Sequence, residues 1–375
     1  MQVYLYPIRQ AAIIFIGIVF MIMVPFMIVQ YRKYGSVSTC RSLILYSFLF
    51  YMICAYFLVI LPLPARDSVT TSYRDMMQLI PFNFIGDFFR ETTLVLSQPS
   101  TYLPALMQGV VTQPIFNIIM LIPFGIYLRY YFNRSFKETL ILSFCLSLFF
   151  ELTQLSGLYG IYSGPYRLFD VDDLMLNTLG GVIGFVIAPA ITYFFPSRET
   201  IDTLNYRKGQ RVTYLRRFIA YNLDLMVIGV LTSMLTMAFR AIGITSSTEL
   251  YVNPLVFFGY FVVFAYINHG RTLMQQLLKI EVTSHTGELK LSQLFLRGLL
   301  FYIGIYQGPA VVNSLYTMAL DNNAVDLLST LMYLALTLGW YVFLGIHLVY
   351  TAFKQNRELF YERMSKTYFV STVNE

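Results

Sequence analysis

Glu151 and Gln154 stand three residues apart near the end of an apolar run. A carboxylate beside an amide in such a setting can grip a polar group or move a proton. Asn117 opens an earlier run and Asn177 a later one. Between the runs that hold Glu151 and Asn177 lies Arg167-Leu168-Phe169-Asp170-Val171-Asp172-Asp173, a turn with one cation and three carboxylates. Asp173 and Asp170 precede Asn177 by one and two helical turns. The ligand-binding candidates are therefore Asn117, Glu151, Gln154, Arg167, Asp170, Asp173 and Asn177. Binding of a polar or cationic head group is one chemistry they fit. Catalysis is another, with Glu151 as general acid or base and Arg167 fixing an anionic head group. The carboxylates of the Asp170–Asp173 turn are also the oxygen ligands that Mg²⁺ or Ca²⁺ takes. Ser147, Ser156 and Ser163 have no histidine in their sequence neighbourhood, so a reaction here runs through a carboxylate or a metal. The plainer alternative is helix-to-helix hydrogen bonding, worth about 0.6 kcal/mol per contact inside a membrane.

The elements that carry these residues are apolar runs: Ala11–Val29, Leu43–Leu63, Ile115–Tyr131, Leu140–Leu155, Leu174–Phe195, Phe218–Ala238, Leu255–Ile267, Gly298–Leu320 and Leu327–Phe353. Most approach the roughly 20 residues that cross a bilayer core. An all-α polytopic membrane protein of about nine transmembrane helices is expected. Of the 26 lysines and arginines, all but Arg9, Arg66, Arg74, Arg90, Arg167 and Arg240 fall in one alternating set of connections. That set includes Lys354 and Arg357 near the end of the chain. Positive residues mark the cytoplasmic side. The amino terminus is thus expected outside, the carboxyl terminus inside, and the Arg167–Asp173 turn outside.

Hydrophobic residues make up 57% of the 375, charged residues 12%, and mean hydropathy is +0.61. The net charge of +6 is mostly this inside bias, so it predicts contact with an anionic leaflet and no nucleic acid. Ala11–Val29 lacks the basic leader and small-residue cleavage site of a signal peptide, and Arg32 and Lys33 follow it as a stop signal. Cys40, Cys54 and Cys145, like His269, His285 and His347, are too scattered for a disulfide framework or a zinc site.

Residues 197–216 form the longest polar stretch on the basic side. They divide a five-helix domain at 1–196 from a four-helix domain with a cytoplasmic tail at 217–375, and are read as a basic linker. The connection from Pro64 to Gln113 is apolar around Pro81, which predicts a segment along the outer membrane surface that roofs the polar cluster. Gly180 and Gly184 have the spacing that lets helices pack closely, which would draw Asn177 toward Glu151, Gln154 and Asn117. Alternation through Leu278, Ile280 and Val282, a turn at Ser284–Glu288, then Leu289 and Leu291 predicts a small cytoplasmic β-hairpin near 278–291.

Ordered motifs in the first half resemble the VanZ-like family, over roughly residues 10–195. They are Asn117 with Leu121-Ile122-Pro123-Phe124-Gly125, Ser147 with Glu151-Leu152-Thr153-Gln154, and Arg167 with Asp170, Asp173, Asn177, Gly180 and Gly181. Leu79-Ile80-Pro81-Phe82-Asn83 fits the family's external motif. The resemblance implies a multi-pass protein of the bacterial cell membrane acting at the envelope. In some members it implies lower sensitivity to teicoplanin-type lipoglycopeptides. Membrane lipids or a lipid-linked cell-wall precursor are then the expected partners.

The second half resembles the RDD family. The matching stretches are Arg217 through Asp224, Gly270-Arg271-Thr272-Leu273 through Lys279-Ile280, Arg297, and the tail Arg357 through Thr367. Glu362 stands where the family has an aspartate, so Arg217, Asp224 and Glu362 form its motif here. Some members of that family have been linked to ion transport, so an ion or solute path through this half is the third function considered. Arg217 and Asp224 lie two turns apart on one helix, too far to pair. Glu362 is expected to pair with Arg217, and Arg297 with Asp224.

Overall fold

The structure is a computed structural model that describes residues 2–69, 71–243, 248–307, 313–314, 316–317, 327–352 and 358–373. Lys354, Arg357 and the end of the run 298–320 lie outside the described residues. Among the described residues, seven helices are long and apolar enough to cross a membrane, and this is a multi-pass membrane protein. The chain divides into two compact units. One comprises Met1–Pro25 with Ser38–Thr203, the other Phe26–Val37 with Leu204–Glu375.

In the first unit the long helices are α1 (Gln2–Tyr34, continuing into the second unit), α2 (Thr39–Ile60), α4 (Gly109–Tyr130), α5 (Phe136–Leu155) and α6 (Val171–Ile191). A short helix, α3 (Asn83–Glu91), lies in the loop between α2 and α4. Local chemistry sets where the helices start. A capping box joins Ser135 and Glu138 at the head of α5, and Asp170 caps α6 by accepting the Asp172 N–H at 2.8 Å. Buried Leu121, Phe124 and Leu128 of α4 pack with Ala55 and Phe150 as the unit's apolar core.

Glycine brings α6 against its neighbours. A Cβ on Gly180 would strike the Ile118 carbonyl oxygen, one on Gly184 the Ile122 oxygen, and one on Gly181 the Ser143 hydroxyl. The close packing expected from Gly180 and Gly184 is thus made with α4. On α5, Thr139, Ser143, Ser147 and Glu151 recur every four residues and are all buried, so one face of that helix is a polar seam.

The second unit holds α7 (Arg198–Gly209, whose last residues belong here), α8 (Tyr214–Ala241), α9 (Tyr251–Ile267), α10 (Leu291–Tyr306), α11 (Leu327–Ala352) and α12 (Phe360–Ser365). The polar stretch expected as a linker therefore carries a helix. Two of the nine expected spans, α9 and α10, fall short of the other seven. Each contains a π-helical segment, Gly259–Phe264 and Tyr302–Tyr306.

The expected hairpin also needs correction. Strand β3 (Ile280–Ser284) pairs antiparallel with β4 (Thr367–Ser371) near the end of the described chain, from Ile280↔Ser371 to Ser284↔Thr367. A bridge from Ser284 to Gly287 makes the predicted turn, but the chain then enters α10 at Leu291 instead of returning as a strand. Alternation identified β3 correctly, since Ile280, Val282 and Ser284 are its buried residues. It carried no information on a partner some 85 residues away. In the first unit β1 (Met77–Gln78) and β2 (Phe169–Asp170) form a second, parallel pair.

Candidate functional site

Where α2 and α5 finish and α4 and α6 begin, their ends enclose a cavity of about 640 Å³. Asn117 from α4, Glu151 and Gln154 from α5, Asp173 and Asn177 from α6, and Arg167 from the turn all line it. Leu58–Val59, the segment Leu61–Pro64, Phe116 and Pro7 supply apolar wall. Six of the seven expected ligand-binding residues thus share one space. Asp170 does not line it, although its backbone N–H donates to Glu151 Oε2 at 3.0 Å.

The groups are held by a connected set of bonds. The Asn117 amide donates to Asp173 Oδ1. Asn177 Nδ2 donates to Ser147 Oγ at 3.0 Å, and Ser147 donates on to the Asp173 carbonyl at 3.4 Å. Gln154 Nε2 and Arg167 Nη1 both donate to Val59 O, at 2.8 and 2.6 Å, which fixes the end of α2 to the site.

The acidic turn does not act as one cluster. Asp172, absent from the expected set, is buried and takes the N–H groups of Phe82 and Phe84 at 2.6 and 2.9 Å. It thereby caps α3 and docks the loop around Pro81 at the head of α6. That loop therefore lines a smaller neighbouring cavity of about 210 Å³, with Phe84, Asp87, Glu91, Asp170, Asp172 and Asp173, and does not roof the larger one. Burial pushes the Asp170 carboxyl up, opposed by the bond from the Asp172 N–H. Among the described residues no group of three His, Cys, Asp or Glu is arranged to hold a metal ion. The turn's carboxylates each accept from N–H donors: Asp170 from Asp172, Asp172 from Phe82 and Phe84, and Asp173 from the Asn117 amide. Successive residues at a helix start point about 100° apart, which is the signal that could have separated Asp172 from Asp173. Ser147 was legible in the same way, one turn before Glu151.

In the second unit Glu362 is fully buried and joins three segments. Arg217 Nη1 contacts its carboxylate at 3.0 Å, Arg297 Nη2 at 3.1 Å, and the Leu359 N–H at 2.7 Å. Arg217 thus meets its expected partner. Asp224 does not: Arg297 goes to Glu362 and Thr367. Asp224 instead accepts from the Tyr260 hydroxyl at 2.5 Å, the Thr272 hydroxyl at 2.6 Å and the Met274 N–H at 3.2 Å. Neutral donors from the π-helical turn and the following helix start are nearer than any guanidinium, and they meet both oxygens.

Arg216 was also absent from the expected set. Fully buried, it donates to the carbonyls of Gly35, Gly209, Leu278 and Lys279 at 2.7–3.0 Å, and to Ser371 Oγ at 3.1 Å. Such a cluster of carbonyls leaves no side-chain signature to read beforehand.

Residues 48–193 match the VanZ/LLP1 family, and residues 211–366 match the RDD family. No curated protein and no solved structure matches the chain.

Proposed function

We propose, for a chain that joins a VanZ/LLP1 domain at 48–193 to an RDD family domain at 211–366, that the first domain is a receptor for an amphiphile at the bacterial cell envelope. Its cavity opens to the exterior of the cell membrane and holds the polar end of a membrane lipid, a lipid-linked cell-wall precursor or an amphiphilic antibiotic. Through that contact the protein lowers sensitivity to teicoplanin-type lipoglycopeptides. One observation carries the reading: Asn117, Glu151, Gln154, Arg167, Asp173 and Asn177, from four chain segments, line a single cavity with apolar wall around them. That composition suits a ligand with a polar head and apolar chains. Sidedness comes from the basic-residue bias, and a reporter fused after Ser163 is expected to read as external.

Native mass spectrometry of the protein purified from membranes is expected to show a co-isolated amphiphile that the Glu151→Gln and Arg167→Ala variants no longer carry. Equal retention by both variants overturns the reading. Catalysis at the same site is the second reading, because no hydrogen bond engages Glu151 Oε1 among the described residues while the atom's side chain lines the cavity. Turnover of a supplied lipid-linked precursor by wild type, absent in Glu151→Gln, would establish it. For the RDD domain, the fully bonded Asp224 and the doubly paired Glu362 favour docking of the tail over an ion path.

A further inference from the structure

The larger cavity of the first unit has a lopsided inventory of hydrogen-bonding atoms. Glu151 accepts at Oε2 and Asp173 at Oδ1, while no bond from a described residue reaches Glu151 Oε1 or Asp173 Oδ2. Asn177 is only 3% exposed, gives its Nδ2 to Ser147, and keeps a buried Oδ1 with no partner. An unmatched buried acceptor is unusual and costly, so this one points to something that donates. Of the donors on the same wall, Gln154 Nε2 and Arg167 Nη1 each give one bond to Val59 O, and the Tyr166 hydroxyl is buried without a partner. Glu151 and Asp173 each present a carboxylate oxygen, and Asn177 a buried amide oxygen behind them, among the residues that line one space. Their complement carries several N–H donors, positive charge and no acceptor at that point. A primary ammonium has these properties, with three donors and none of the acceptors a hydroxyl would add. A quaternary ammonium has the charge without the donors.

We propose that this cavity takes the primary ammonium group of a phosphate-bearing amphiphile, held by Glu151, Asp173 and Asn177. Arg167, the cation lining the cavity among the described residues, meets a phosphate of the same amphiphile. Apolar chains leave past Pro7, Leu58, Leu63 and Phe116. This assignment rests on the receptor reading above and specifies its ligand. A bulk aminophospholipid and a lipid-linked peptide precursor with a free side-chain amine both carry the required group.

The full-length protein is tested in nanodiscs holding equal amounts of phosphatidylethanolamine and phosphatidylcholine with matched chains. Lipid released from the isolated protein is counted by native mass spectrometry. In a parallel arm a lipid-linked pentapeptide precursor is offered with its side-chain amine free or acetylated. Loss of hydrogen bonds to charged groups predicts about tenfold preference or more for the primary amine. In Asp173→Asn and Glu151→Gln, which keep shape but replace an acceptor by a donor, whatever lipid or precursor still co-isolates should show that preference reduced to about twofold or less. Preference for phosphatidylethanolamine, lost in the variants, supports the proposal with a bulk lipid as source. Equal lipids with preference for the free-amine precursor support it with the precursor as source. Retention of amphiphiles with no preference in either arm overturns the ammonium assignment and leaves the receptor reading standing. A preference unchanged in both variants likewise overturns it, and no retention by wild type overturns both.

Discussion

The two units bury their acids in opposite ways. In the second, Glu362 meets two guanidiniums and a backbone N–H, and Asp224 meets two hydroxyls and a backbone N–H. The space beside Arg217, Arg297 and Thr272 is about 70 Å³, room for a water or two. In the first, Glu151 and Asp173 each accept a bond on one oxygen, and the cavity they line is about 640 Å³. Burying a charge in or near a bilayer is costly in both places. Where bonds meet both oxygens, the charge fastens chain segments together. Where an oxygen is left over beside open space, it stands ready to take a donor from water or from a ligand. Satisfied acids therefore point to architecture, and half-satisfied ones to recognition.

Variants can break or sharpen that contrast. The largest effect is expected from Glu362→Ala, which leaves two guanidiniums without their buried carboxylate. Removing one side of a buried ion pair costs about 3–5 kcal/mol, so little folded protein should survive detergent extraction on a fluorescence-detected sizing column. Normal yield would remove Glu362 from the architectural class. Asp224→Asn should cost about 2 kcal/mol, in the range for hydrogen bonds to a charged group. It should lower abundance more than it changes lipoglycopeptide tolerance. Full abundance with altered ion tolerance would instead make Asp224 functional. Gly180→Leu forces a side chain into the Ile118 carbonyl and should cost about 1–3 kcal/mol by overpacking. Its thermal midpoint in detergent should fall and ligand retention with it, since Asn177 lies one turn away on α6. Glu151→Gln should move stability least, by under about 1 kcal/mol, while abolishing ligand retention and any tolerance effect. A Glu151→Gln protein that unfolds like Glu362→Ala would erase the distinction between the units.

The cavity was legible in sequence because polar residues inside apolar runs are conspicuous. Asn117, Glu151, Gln154 and Asn177 each interrupt a run near the same end, and antiparallel helices must bring such ends together. The pairing of Arg217 with Glu362 was legible only through motif resemblance. Other features left no trace because they depend on distant partners or on backbone atoms. The strand at 367–371 has no signal tying it to 280–284. Arg216 is bound chiefly by carbonyls, which every residue possesses. The loop around Pro81 was expected over the cavity because of its apolar character. Two N–H bonds to Asp172, one residue before Asp173, direct it elsewhere. Seven of the nine expected spans are matched by long apolar helices and the other two, among the described residues, by the shorter α9 and α10.

The clasp at Glu362 has a temporal consequence. Arg217 and Glu362 are separated by 145 residues, so a ribosome adding about 5–20 residues per second delivers the carboxylate on the order of ten seconds after the arginine. Until then β3 lacks β4, and Arg217 and Arg297 lack their counter-charge. Messages cut short after α11 would yield a protein that inserts normally and is then marked for proteolysis, its half-life set by a dozen late codons.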